Sequence, residues 1–164
     1  MAERRFVVNA SPLIFLGRID RLPLLATLAE HVEIPRAALA EVAAGDPDGS
    51  LVKTIENQGG LRIAPDVPLP ELVSNWDLGA GESQVLALAL TFGADGAECV
   101  LDDRQARRCA NSLGLPIVGT LGLILRARRL GMIAQARPLL EELLEVGMHL
   151  DPRLMESGLS DVGE

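Results

Sequence analysis

Short apolar runs alternate along the chain with longer segments of helical period. Phe6-Val7-Val8, His31-Val32-Glu33-Ile34, Leu61-Arg62-Ile63-Ala64, Cys99-Val100-Leu101 and Ile117-Val118 have strand length and end in turn residues or prolines. Ser11 before Pro12 predicts a helix start, with Ser11 as N-cap and Pro12 at the first helical position, running through Leu13, Ile14 and Leu16 towards Ile19. A second helix starts at Leu22-Pro23 and carries Leu24, Leu25 and Leu28. Arg36 to Ala44 form a helix closed by Gly45, Asp46 to Ser50 a surface loop, and Leu51 to Gln58 a further helix stopped by Gly59-Gly60. A proline-rich connector from Pro65 to Pro70 precedes Gly79-Ala80-Gly81, which opens the most apolar helix, Glu82 to Phe92. Helices Asp103 to Leu113, Thr120 to Gly131 and Gln135 to Leu144 follow, with a short helical tail from Pro152 to Met155.

The order β-α-α-β-α-α-β-α-β-α-β-α-α predicts an α/β domain of three layers around a central, largely parallel sheet of 4–5 strands. One domain accounts for residues 1–164, with a core from about 6 to 159. The apolar face of Leu13, Leu16, Leu24 and Leu28 is read as core in preference to a dimer seam. Composition narrows the function. Aromatic residues are only 2%, which argues against a base-stacking platform. Two cysteines make neither a disulfide framework nor a zinc set, and Cys99 reads as a buried small hydrophobe. No apolar run approaches the roughly 20 residues of a membrane span. Met1-Ala2-Glu3-Arg4-Arg5 shows no signal-peptide pattern, so a cytoplasmic, membrane-free protein is expected.

The net charge of −8 argues against a nucleic-acid partner until its distribution is considered. From Arg104 to Arg129 there are six arginines and no acid, a local +6 that leaves −14 on the remainder. A basic segment directly after an acidic strand end can hold a phosphate backbone beside a metal site, although solvated helix faces produce the same pattern.

Polar residues cluster at predicted strand ends and helix starts: Asn9, Glu41, Glu82, Asp102 and Asp103. In open α/β sheets the chemistry lies beyond the carboxyl ends of the strands. Carboxylates gathered there repel one another unless a cation sits among them, and oxygen donors select hard ions such as Mg²⁺ or Mn²⁺. The reaction natural to such a set is metal-assisted phosphodiester hydrolysis. The plain alternative for each acid is helix capping, which suits Glu82 in a first turn. Other motifs fail. The Gly79-Ala80-Gly81 stretch lacks a third glycine, and the single lysine, Lys53, suits neither a P-loop nor a phosphoacceptor receiver domain. His31 and His149 lie far apart with apolar neighbours and read as structural or surface residues.

Taken together, Val7-Val8-Asn9-Ala10-Ser11-Pro12-Leu13-Ile14, Ile34-Pro35 with Glu41 six residues later, Gly81-Glu82, Leu101-Asp102-Asp103-Arg104 and Val118-Gly119-Thr120-Leu121-Gly122 resemble the PIN-domain proteins, and among them the VapC-like toxin branch. The resemblance runs in order from about Phe6 to Leu159. It implies a compact α/β nuclease fold, Mg²⁺- or Mn²⁺-dependent cleavage of single-stranded RNA, restraint by a cognate antitoxin, and a homodimer. By position it implies catalytic and metal-binding roles for Asn9, Glu41, Glu82 and Asp103, with Asp102 as an alternative or auxiliary ligand. Ser11 matches the hydroxyl residue that steadies the first position, and Arg104, Arg107 and Arg108 are the implied contacts to RNA or antitoxin.

Asn9 departs from the family pattern, which has aspartate there. An amide oxygen can ligate a cation but brings no charge and cannot act as a base. Two explanations stay open: a natural member that binds RNA or protein without cutting, or a native aspartate exchanged to silence a toxic nuclease. The leading expectation is a PIN-type endoribonuclease, impaired in this form. The alternatives are a non-catalytic binding module of the same fold and a metal-dependent phosphatase of small phosphoesters.

Overall fold

The structure, a computed structural model, describes residues 3–164. Met1 and Ala2, part of the N-terminal stretch read above for a leader, lie outside the described residues. The strands are β1 (Arg5–Val8), β2 (His31–Pro35), β3 (Leu61–Ala64), β4 (Glu98–Val100) and β5 (Ile117–Val118). The helices are α1 (Ala10–Arg18), α2 (Pro23–Leu28), α3 (Arg36–Ala44), α4 (Ser50–Asn57), α5 (Glu71–Ser74), α6 (Ala80–Thr91), α7 (Arg104–Ser112), α8 (Thr120–Arg129), α9 (Arg137–Glu145) and α10 (Pro152–Asp161).

All strand pairs are parallel, in the order β3-β2-β1-β4-β5. The alternation of side chains along the strands splits the core in two. Phe6, Val8, Ile34 and Val100 face a layer to which α1, α2, α3, α4, α8, α9 and α10 contribute buried side chains. Val7, Cys99 and Leu101 face the layer of α6 and α7. Both sheet faces are therefore covered, which is why the strands read as nearly continuous apolar runs. Leu13, Leu16, Leu24 and Leu28 are all buried in the first layer, as core. Burial pushes the Cys99 thiol up to about 12, and it packs as a hydrophobe. Among the described residues no helix is long and apolar enough to cross a membrane.

Three details differ from the sequence reading. α1 begins at Ala10, with Asn9 in the N-cap position in place of Ser11, so Pro12 falls at the third helical residue. α5 is a single turn with one buried residue, Val73, too short to show a period. α10 continues to Asp161 instead of stopping at Met155. Gly158 lies in its middle and a side chain there would strike Leu125 Cδ1, so the glycine marks a close crossing of α10 over α8.

Beyond α10 the chain returns to α9, where Glu164 accepts hydrogen bonds from the Ala136 N–H (2.7 Å) and the Arg137 N–H (3.1 Å) and pairs with Arg128 Nε (3.3 Å). The Ala136 N–H is foremost in holding this carboxyl below its ordinary 4.5, opposed by desolvation and helped by the Arg137 N–H and the Arg128 charge. A carboxyl depressed in the folded state adds stability above its unfolded pKa, and that stability is lost as pH falls through the folded value. Glu164→Ala is expected to lower the melting temperature at neutral pH. The difference should shrink once the pH drops below 4.5 and vanish below the lowered folded pKa, as a series of thermal melts from pH 7 downward will show.

Candidate active site at the strand-order reversal

From β1 the chain adds β2 and β3 on one side and β4 and β5 on the other, so the strand order reverses between β1 and β4. Loops leaving two neighbouring strands in opposite directions open a crevice at the carboxyl ends, the usual ligand site of such sheets. Asn9 follows β1 and Asp102-Asp103 follow β4, one on each side of the crevice. The Asn9 N–H donates to Val100 O at 3.1 Å, which extends the ladder and ties the two sides together.

Asn9 is 2% exposed, and its Oδ1 is buried with no hydrogen-bond partner. Such an orphan costs about 1–3 kcal/mol. Its surroundings are acidic. A Cβ at position 81 would lie 2.8 Å from Asn9 Oδ1 and 2.8 Å from Glu41 Oε1, so both oxygens border the space that glycine leaves at the start of α6. Gly81 N–H donates to Glu41 Oε1 at 2.8 Å. A Cβ at position 79 would strike Glu82 Oε2 and lie 3.8 Å from Glu41 Oε1. The Gly-Ala-Gly sequence is thus a cradle, with Glu41 from α3 and Glu82 from α6 meeting over it.

On the far side Asp102 is half-buried and well held. Its Oδ1 accepts from the Thr120 N–H (2.8 Å), and its Oδ2 from Thr120 Oγ1 (2.7 Å) and Ser11 Oγ (3.3 Å). Asp103 is exposed and caps α7 by accepting from the Ala106 N–H at 2.9 Å. Asn9, Ser11, Glu82, Asp102 and Asp103 share a cleft of about 440 Å³, closed on one side by Gly147-Met148-His149. The structure therefore brings Asn9, Glu82, Asp102 and Asp103 together in one cleft, and Glu41 is approached by Asn9 across Gly81 and by Glu82 across Gly79. Ser11 supports Asp102, where the sequence pointed to the first position. Arg104, Arg107 and Arg108 flank Asp102 in an adjoining depression. His149, set aside in the sequence as structural or surface, borders the cleft, and no local sequence signal marks it.

Among the described residues, no three His, Cys, Asp or Glu side chains converge as a ready metal cage. Asn9 and Glu82 both border Glu41 across the glycines and both line the cleft that holds Asp102 and Asp103. The donor set is all oxygen, includes one buried oxygen lacking a donor, and suits a hard divalent cation. Helix starts carry these acids: Glu82 is in the first turn of α6, Asp103 caps α7, and Asp102 accepts from the first residue of α8. Thr120→Val keeps the shape of this fully buried residue but removes the shortest of the Asp102 bonds. An expected loss of about 1–2 kcal/mol follows from breaking a bond to a charged group, and urea unfolding will measure it.

A family model described as DUF3368, PIN domain, matches residues 5–164. Among solved structures the chain is similar to the PIN domain endonuclease Utp24, with a TM-score of 0.51 and 13% identity over 70% of this chain and 84% of that one. No curated protein matches the chain significantly. At 13% identity the structural likeness speaks for the fold.

Proposed function

Because the chain belongs to the PIN-domain family, we propose that it is a metal-dependent endoribonuclease acting on single-stranded RNA, held at low activity by Asn9. The observation that carries the reading is the buried, partnerless Asn9 Oδ1, which borders Glu41 across Gly81 and belongs to the cleft of Glu82, Asp102 and Asp103 at the strand-order reversal. Glu41, Glu82, Asp102 and the Asn9 amide oxygen would hold a Mg²⁺ or Mn²⁺ ion. Asp103 is divided between that role and its cap on α7. The chemistry such an ion supplies when bound is polarisation of a phosphodiester and activation of water near neutral pH.

The chain's own groups orient the substrate. Thr120 and Ser11 fix the Asp102 carboxylate, so little reorganisation is needed when a phosphate arrives. Arg104 and Arg107 offer cationic contacts on the side away from Glu82. The toxin role, restraint by an antitoxin and a homodimeric state belong to this proposal on the strength of the sequence resemblance.

A second reading, a non-catalytic RNA-binding module, is favoured by one observation: among the described residues no three acidic side chains converge as a metal cage, and an amide stands at position 9. A pool of single-stranded RNA incubated with Mn²⁺ or Mg²⁺ separates the two. The chain as it stands, Asn9→Asp, and Asn9→Asp with Asp103→Asn are compared, and a fourth protein combines Asn9→Asp with Asp102→Asn. Cleavage that appears in Asn9→Asp and disappears when either aspartate is also changed supports the nuclease. Silence in all four, with no cation binding by calorimetry, leaves the binding module.

A further inference from the structure

Next to the carboxylates lies a larger cleft, of about 570 Å³, between α7, α8 and the segment entering α10. Arg104 and Arg107 line it together with Leu121, Leu125 and Leu154. Asp102 lines this cleft, the carboxylate cleft and the depression beside Arg108, so all three open onto the same carboxylate. Met148 and His149 form the partition between the first two.

Several features of the cleft run against stability alone. Arg104 is the first residue of α7 and Arg107 and Arg108 follow closely, while the last turn has no basic residue. Cations are favoured at the opposite end of a helix. Among the described residues none of the three is in an ion pair, although Arg5, Arg62, Arg126, Arg128 and Arg137 are. Leu154, on the first turn of α10, is 62% exposed at the rim. Gly119 leaves room for Arg107: a Cβ there would sit 2.7 Å from Arg107 Nη1 and 3.1 Å from Asp102 Oδ1. The Arg107 guanidinium also donates to Leu101 O at 3.5 Å, which holds it against the strand end.

We propose that this cleft is a nucleotide subsite for the RNA residue adjoining the phosphodiester at Asp102, with phosphate on Arg104 and Arg107 and the base against Leu121 and Leu154. The inference rests on the nuclease reading for the identity of the polymer. Its size falls in the ~300–1,000 Å³ range of small-molecule sites. A lining that combines guanidinium groups with aliphatic side chains offers partners to both halves of a nucleotide, and guanidinium planes can stack on a base where aromatic side chains are lacking. Aliphatic side chains read shape more than hydrogen-bond edges, so the subsite takes all four bases with modest preference.

The test uses the full chain in EDTA, so that cation binding plays no part. Nucleoside 5′-monophosphates and inorganic phosphate are titrated separately and followed by NMR. The nucleotides should bind about tenfold more tightly than phosphate, the effect of roughly 60 Å² of buried apolar surface. Leu154→Asn should abolish that advantage and leave phosphate binding in place, and Arg104→Ala should weaken both ligands. Leu154→Ser, a smaller change at the same exposed position, repeats the comparison. Nucleotides that bind no better than phosphate, or an advantage that survives both Leu154 variants, overturn the subsite and leave the cleft to a protein partner. Leu154-dependent nucleotide binding in a chain whose Asn9→Asp variant never cuts RNA would instead retire the nuclease reading and keep the subsite.

Discussion

Asn9→Asp is expected to raise cleavage of single-stranded RNA by about two to three orders of magnitude, the scale of one charge-stabilising group in an active site. Position 9 borders Glu41 and lines the cleft of Glu82, Asp102 and Asp103, so a carboxylate there adds a negative charge where all four acids approach. The same change has a cost that serves as an independent readout. Asn9 is 2% exposed, and a new charge at that depth, close to Glu41, is repelled and poorly solvated. Without divalent cation, Asn9→Asp should therefore be less stable than the chain as it stands, by about 1–3 kcal/mol. With Mn²⁺ in excess the order should reverse, because an ion bound only to the folded state stabilises it by mass action. Melts with and without Mn²⁺ report this even if the right RNA is not in the pool. A variant that melts identically in both conditions rules out position 9 as a ligand.

Gly81→Ala is expected to cost about 10- to 100-fold in Mn²⁺ affinity in the Asn9→Asp background while leaving the fold nearly as stable, the range seen when a group that orients a ligand is lost. The new methyl would stand 2.8 Å from Asn9 Oδ1, Glu41 Cδ and Glu41 Oε1, well inside ordinary contact. Glu41 can swing aside, and when it does it gives up the hydrogen bond from the Gly81 N–H. Alanine gains up to about 1 kcal/mol over glycine within a helix, which offsets most of the strain. Calorimetric titration with Mn²⁺ beside a thermal melt separates the two effects. Unchanged affinity would remove Glu41 from the site.

Much of this was legible in the sequence because it depends on local period. The five strands, the helices between them and the placing of Asn9, Glu41, Glu82 and the Asp102-Asp103 pair near strand ends follow from short apolar runs and helix punctuation. The division of labour between Asp102 and Asp103 was not legible. Two adjacent acids look alike in sequence, but Asp103 turns to cap its own helix while Asp102 meets Thr120, 18 residues on, and Ser11, 91 residues back. Tertiary partners at that separation leave no mark on the neighbouring residues. Ser11 shows the same limit: Ser-Pro is a sound helix-start signal, yet the hydroxyl is taken by a carboxylate on another strand and Asn9 occupies the cap. His149 and Leu154 reach the clefts through the chain's return along α9 and α10, which no motif announces.

The strand order also bears on when the protein can act. β1 pairs with β4 in the middle of the sheet, and the Ser11–Asp102 bond spans 91 residues. A growing chain carries Asn9 and Glu41 long before Asp102 exists, and Thr120, which holds Asp102, comes later still. At synthesis rates of about 5–20 residues per second, the 61 residues from Glu41 to Asp102 take about 3–12 seconds. Until β4 inserts beside β1, the acids belong to unconnected stretches and the crevice has only one side. Under the proposed nuclease reading, a chain released before Thr120 has been made lacks the residue that fixes Asp102, and the candidate site is incomplete in it.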